Sequence, residues 1–136
     1  MSKMTVAELQ AFLQREFPQG VGEVEQAGDM RARLRLPVND SHLRPGGTVS
    51  GPTMMALADC AFYVALLAEI GPVALAVTTS FNINFYRKPA PDDIIAEARL
   101  FKVGQRLAVG EITLYSASYP ESVAHATCTY AIPPER

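Results

Sequence analysis

Twenty residues in the middle of this chain, Gly51 to Ile70, constrain its fold more than any other stretch. Met54, Met55, Leu57, Phe62, Val64, Leu66, Leu67 and Ile70 fall nearly all round a helix rather than along one stripe. A helix that is apolar on all sides has to be covered on most of them. Gly51-Pro52 suits its start, because a proline in the first turn leaves no N–H unpaired, and Gly71-Pro72 suits its end. Lipid is one possible cover. The stretch is barely long enough to span a bilayer, however, and Asp59 at its centre would be expensive there.

The rest of the chain offers another cover. Thr5-Val-Ala-Glu8 has the form of a capping box, and Leu9, Phe12 and Leu13 follow at helical spacing, which predicts a helix over about 6–16 that stops before Pro18-Gln-Gly20. Gly22 to Gln26 reads as a short strand. Met30 to Leu36 reads as a second, with Met30, Ala32, Leu34 and Leu36 alternating against Arg31, Arg33 and Arg35 on a solvated face. Val38 to Ser50 reads as a loop. Four β-rich runs follow the apolar helix: Val73 to Tyr86, Ile94 to Val103, Leu107 to Tyr115 and Val123 to Ile132. Short turns at Pro89–Asp93, Gly104-Gln105 and Pro120–Ser122 join them, so antiparallel pairing is expected. The expected class is α+β: one domain over residues 1–136, with an antiparallel sheet wrapped around one long buried helix.

Composition excludes several functions. With 49% hydrophobic and 19% charged residues among 136, the chain is not disordered as a whole. A formal net charge of −2 leaves no basic stripe for nucleic acid. Cys60 and Cys128 both sit in apolar runs and are expected to be buried thiols in a reducing compartment, too few for a disulfide scaffold. His42 and His125 are isolated, so no metal site is expected. Met1 to Thr5 lacks the charged-then-apolar pattern of a signal sequence, which leads us to expect a cytoplasmic protein.

Asp59 is the residue with chemical potential. Apart from Cys60 and Tyr63, it is the only ionisable side chain between Met54 and Leu67. A carboxylate there is costly unless it is hydrogen-bonded or lines a cavity. Desolvation would raise its pKa and make it a better base; a Ser, Thr or backbone partner would make it merely structural. Gly51 is the second candidate. Its N–H, at the positive end of a helix, can meet a carbonyl oxygen as an oxyanion hole does, or simply cap the helix.

The segment Arg44-Pro-Gly-Gly-Thr-Val-Ser-Gly-Pro-Thr-Met-Met-Ala-Leu-Ala-Asp59 resembles the signature of hotdog-fold acyl-CoA thioesterases, in the branch related to phenylacetate-degradation thioesterases. Thr79 to Ala90 resembles the next strand of that family, and Ala124 to Tyr130 resembles its last. The resemblance runs from about residue 20 to 132. It implies a hotdog fold that hydrolyses an acyl-CoA to free acid and coenzyme A without metal or other cofactor. Asp59 would be the nucleophile or general base, the Gly51 N–H would polarise the thioester carbonyl, and Thr79 would help hold the water or carboxylate. Arg87 and Lys88 would meet coenzyme A phosphates. The family's site forms across a homodimer, alone or within a dimer of dimers, so Gly51 of one subunit would face Asp59 of the other.

Three positions depart from the family pattern: Ser50 stands at its His, Pro52 at its second Gly and Arg44 at its Asn. Ser50 would cap the helix or bond to substrate. Arg44 would bind a ligand carboxylate or phosphate, or pair with Asp59 and lower its pKa. Phe62, Tyr63 and Phe81 either line an acyl pocket or belong to the core. These departures motivate a second reading, a non-catalytic protein that binds acyl-CoA or aromatic ligands. Dehydratase chemistry would want a well-placed histidine, and neither His42 nor His125 matches.

Overall fold

The computed structural model describes residues 2–18 and 21–134. Helix α1 spans Val6–Glu16, as its capping box predicts: the Glu8 N–H donates to Thr5 Oγ1 at 3.1 Å, and the Thr5 N–H donates back to Glu8 Oε1 at 2.8 Å. Leu9, Phe12 and Leu13 are its buried face. Phe17 caps its C-terminus; Gln19 and Gly20 of the expected stop signal lie outside the described residues.

Strands β1 (Glu23–Gly28) and β2 (Arg31–Leu36) form a hairpin. The expected loop before the long helix carries more structure than its composition suggests. A 3-10 turn at Asp40–His42 precedes a small hairpin, β3 (Leu43–Arg44) and β4 (Thr48–Val49). Short-range polar contacts hold it. The Asn39 side chain accepts from the Ser41 N–H at 2.9 Å, and His42 Nδ1 accepts from the Asn39 N–H at 3.0 Å. Helix α2 then runs Gly51–Ile70. Gly71, at φ 92, donates its N–H to the Leu67 carbonyl and turns the chain out of the helix, in a conformation that side chains disfavour. Strands β5 (Val77–Phe85), β6 (Ile94–Val103), β7 (Leu107–Ser116) and β8 (Ala124–Ala131) complete the chain. β5 starts later than the expected Val73, because residues 74–75 form a turn.

The main sheet has the order β1-β2-β6-β7-β8-β5, and every pairing is antiparallel. It wraps α2, which is the hotdog arrangement. Leu57, Ala58, Ala61, Phe62, Val64, Ala65, Leu66, Leu67 and Ala68 are wholly inaccessible to solvent. The alanines let the helix approach the sheet closely, and the larger side chains interdigitate with Leu34, Ile112 and Leu114 from the strands. Each large apolar side chain so covered contributes about 1.5–3 kcal/mol, enough in sum to make this helix the organising element.

The outer face of β2 is less simply solvated than its arginine alternation suggests. Arg33 bridges Glu25 and Glu97, and Arg35 bridges Glu25 and Asp93. At the other end of the sheet order, β5 is an edge strand. A bulge at Thr79 lies between the pairs Thr78↔Tyr130 and Ser80↔Thr129. Beyond it Phe81, Ile83 and Phe85 lie opposite the buried residues Cys128, Ala126 and Ala124 and so face inward, yet Phe85 remains 46% exposed.

Candidate active site

Asp59, half-buried on α2, is held from the sheet. Its Oδ1 accepts two hydrogen bonds, from Thr78 Oγ1 at 2.7 Å and from the Tyr130 hydroxyl at 2.9 Å. The Tyr130 hydroxyl also lies 3.3 Å from the Asp59 backbone carbonyl. Register explains the convergence: Thr78 on β5 and Tyr130 on β8 are direct partners, so their side chains leave the sheet on the same inner face, toward α2. Tyr130 is fixed from below by stacking on Phe62, with ring centroids 4.9 Å apart. Burial first, and then the charge of Asp59, push the Tyr130 hydroxyl well above its ordinary pKa, so it stays a proton donor. Thr78 is the kind of partner a merely structural Asp59 would have, but it engages Oδ1 alone: Oδ2 accepts no hydrogen bond from any described residue and is not sealed from solvent.

That carboxylate lines a pocket of about 360 Å³, together with Glu16, Phe17, Tyr63, Ala76, Val77, Thr78 and Tyr130. The Tyr63 hydroxyl donates to the Ala74 carbonyl at 3.0 Å, and burial raises its pKa. Gly51 lies at the far end of α2. Ser50 caps the helix there, accepting from the Thr53 N–H at 3.3 Å and donating to Thr53 Oγ1 at 2.8 Å. The Gly51 N–H donates to no described group, and a side chain added at Gly51 would touch the Phe85 ring at 3.4 Å. Eight residues of helix separate Gly51 from Asp59, about 12 Å of rise, so the two cannot serve one carbonyl group within one protomer.

Several expected site residues are placed elsewhere. Thr79 does not reach the carboxylate; it sits at the bulge and its Oγ1 donates to the Thr129 carbonyl at 3.3 Å, so Thr78 takes the role expected of it. Arg44 does not pair with Asp59: it is exposed on β3, and its side chain has no partner among the described residues. Phe62 is a core residue under Tyr130, not a pocket wall; its neighbour Tyr63 lines the pocket instead. Phe81 packs against the core. Arg87 is engaged by Glu121 at 3.0 Å and lies over the Tyr119 ring, whereas Lys88 is exposed. Cys60 and Cys128 are buried and free, and burial pushes their thiols up to about 11 and about 12. His125 meets Glu111 at 2.9 Å on the outer face of the sheet. Among the described residues, no group of three or more His, Cys, Asp or Glu side chains is placed to hold a metal ion.

Sequence reasoning missed Thr78, Tyr130 and the end of α1. A usable signal existed for Tyr130, a phenol in phase with Ala124, Ala126 and Cys128 on the inner face of β8.

Residues 46–121 match the family model described as the thioesterase superfamily. The chain belongs to the thioesterase superfamily. Among solved structures of similar fold, a candidate thioesterase from Silicibacter sp. TM1040 is 44% identical with a TM-score of 0.91, over 98% of this chain and 95% of that one. A variant of the phenylacetic acid degradation protein PaaI from Thermus thermophilus is 27% identical with a TM-score of 0.72, over 90% and 99%. A candidate esterase from Halobacterium salinarum is 35% identical over 96 residues, which are 67% of this chain and 63% of that protein. The superfamily match begins after α1 and β1–β2, so the helix end that lines the pocket lies outside the part matched.

Proposed function

We propose that this member of the thioesterase superfamily hydrolyses an acyl-CoA thioester to a free acid and coenzyme A. The observation that carries the reading is the asymmetric hold on Asp59: two hydroxyls fix Oδ1, and Oδ2 is left open at the wall of a pocket. A carboxylate oriented in this way serves as a general base. Oδ2 takes a proton from water as the water oxygen bonds to the thioester carbon. The carbonyl oxygen gathers negative charge, which the unpaired N–H of Gly51 of the partner subunit would stabilise. When the tetrahedral intermediate collapses, the C–S bond breaks and the proton on Asp59 passes to the departing sulfur. Water and the chain's own groups suffice, so the reading needs no cofactor beyond the coenzyme A of the substrate.

This scheme requires a homodimer, alone or in a dimer of dimers. The free edge of β5 and the exposed inner residue Phe85 beside Gly51 support that requirement. Lys88 and Arg44, exposed and without partners among the described residues, are available to coenzyme A phosphates, and Arg87 joins them by leaving Glu121. A cytoplasmic location fits the supply of acyl-CoA and the two free thiols.

Thiol release from a panel of acyl-CoAs tests the reading. Wild type releases coenzyme A, and Asp59→Asn and Asp59→Ala lose turnover while remaining folded; full activity in both variants removes Asp59 from the mechanism. The Ser50 hydroxyl, at the family's His position, is spent on Thr53, and this favours a second reading as a non-catalytic acyl-CoA binder. Tight binding without coenzyme A release across the panel would establish that alternative.

A further inference from the structure

The pocket beside Asp59 is built to exclude as well as to admit. Three aromatic rings form one wall: Phe17 stands edge-on to Tyr63 at 6.1 Å, and Tyr63 lies 6.0 Å from Tyr130. The hydroxyls that line the pocket are already committed as donors, Tyr63 to the Ala74 carbonyl and Tyr130 and Thr78 to Asp59. Among the described residues, nothing cationic lines the cavity. Its two charged side chains are both carboxylates, Asp59 and Glu16, the latter paired with exposed Arg15 at 3.2 Å. The wall at Phe17 is not a loose flap. Phe12 and Leu13 bury α1 against the core, and Gln10 Oε1 accepts from the Val24 N–H at 2.7 Å. A volume of about 360 Å³ is near the small end for ligand sites.

We infer that this pocket receives the acyl group, that it selects a compact, uncharged, apolar acyl chain, and that the end of α1 sets the limits: Phe17 the length and Glu16 the charge. The inference rests on the thioesterase reading above and names its substrate class. A long chain meets the Phe17 ring. An acyl group ending in a carboxylate finds no uncommitted side-chain donor among the described lining residues and meets the carboxylates of Asp59 and Arg15-paired Glu16, so it loses hydration without recompense.

The test compares butanoyl-, decanoyl- and succinyl-CoA on the wild type and on Phe17→Ala, Phe17→Leu and Glu16→Lys, with thermal melts to confirm folding. Wild type is expected to favour butanoyl over each of the others by about tenfold or more in kcat/KM, the scale at which pocket contacts discriminate. Phe17→Ala, and Phe17→Leu to a smaller extent, should raise the decanoyl-to-butanoyl ratio by about tenfold, and Glu16→Lys should raise the succinyl-to-butanoyl ratio by about fivefold. Unchanged ratios in folded variants, with butanoyl-CoA still hydrolysed and Asp59→Asn inactive, overturn the pocket assignment and leave the thioesterase reading intact. If no thioester is turned over at all, that reading fails instead. The same ratios measured as Kd with non-hydrolysable thioether analogues then decide the pocket assignment on binding alone.

Discussion

The Tyr130 hydroxyl donates to Asp59 Oδ1 at 2.9 Å while its ring lies stacked on Phe62, at 4.9 Å between centroids. One side chain thus joins the packed centre of the protein to the carboxylate at the pocket. Tyr130→Phe separates the two roles, because it keeps the ring and removes the donor. We expect stability to fall by about 1.5–3 kcal/mol, the scale of a hydrogen bond to a charged group. We expect kcat to fall by about tenfold with little change in KM, since the lost contact orients the base and does not hold the substrate. Urea unfolding and steady-state kinetics on one acyl-CoA read the two effects.

Thr78 and Thr79 are neighbours with different consequences. Thr78→Val removes a 2.7 Å hydrogen bond to Asp59 and should lower kcat by about tenfold or more. Thr79→Val loses only a 3.3 Å contact with a backbone carbonyl and should stay within about twofold of wild type. Equal losses in the two variants would refute the assignment of the supporting hydroxyl to Thr78.

Gly110 on β7 has no room for a side chain. A Cβ there would collide with the Arg99 carbonyl, stand 2.9 Å from the Leu100 Cα and press the Phe62 ring at 3.1 Å. Two of those obstacles are backbone, so the strand itself must shift. Gly110→Ala should destabilise the fold by roughly 1–3 kcal/mol, the range of overpacked cores. Chemical denaturation gives the number, and an unchanged midpoint would show that the sheet yields more easily than its geometry suggests.

Acid should weaken the fold through Glu25. Its hydrogen bonds to Arg35 and then Arg33 hold its pKa below the ordinary 4.5. Glu111 is lowered likewise, by His125 and then Arg99. A carboxylate with a depressed folded-state pKa adds stability that is present above its unfolded value and is lost as pH falls through the folded one. The unfolded chain binds these protons first, so the unfolding free energy declines as pH drops below about 4.5. Glu25→Gln should flatten that decline between about pH 5 and 3 and change little near neutrality beyond the loss of exposed ion pairs. Urea midpoints at a series of pH values check it.

Much of the architecture was legible because the chain's local and long-range preferences agree. Thr5 and Glu8 mark the start of α1, and Gly51-Pro52 and Gly71-Pro72 bracket α2. The alternation in Ile94–Val103 and from Leu107 to Tyr115 identifies two strands. Strand order was not legible, since alternation names the buried face of β5 but not that β5 ends up beside β8 at an edge. The neighbours of Asp59 depend on that order. A helix apolar all round likewise has no phase, so nothing local decides whether Phe62 or Tyr63 faces the pocket; the position of the sheet decides. The contribution of α1 to the pocket arises from packing between Phe17 and Tyr63, 46 positions apart in the chain, and no local pattern announces it.

The bulge in β5 has a consequence for how this strand can vary in length. Thr78 must point at Asp59, and Phe81, Ile83 and Phe85 must point into the protein, yet a regular strand starting at Thr78 would turn those three side chains outward. Thr79 is the extra residue that reconciles the two demands. Deleting it would restore simple alternation and leave both groups facing inward, provided Phe81 to Phe85 kept their partners on β8. Deleting any single residue from Phe81 to Phe85 would instead put the residues on one side of the gap out of phase with those on the other. Loss of a single residue from β5 is therefore tolerable at Thr79 and nowhere from Phe81 to Phe85.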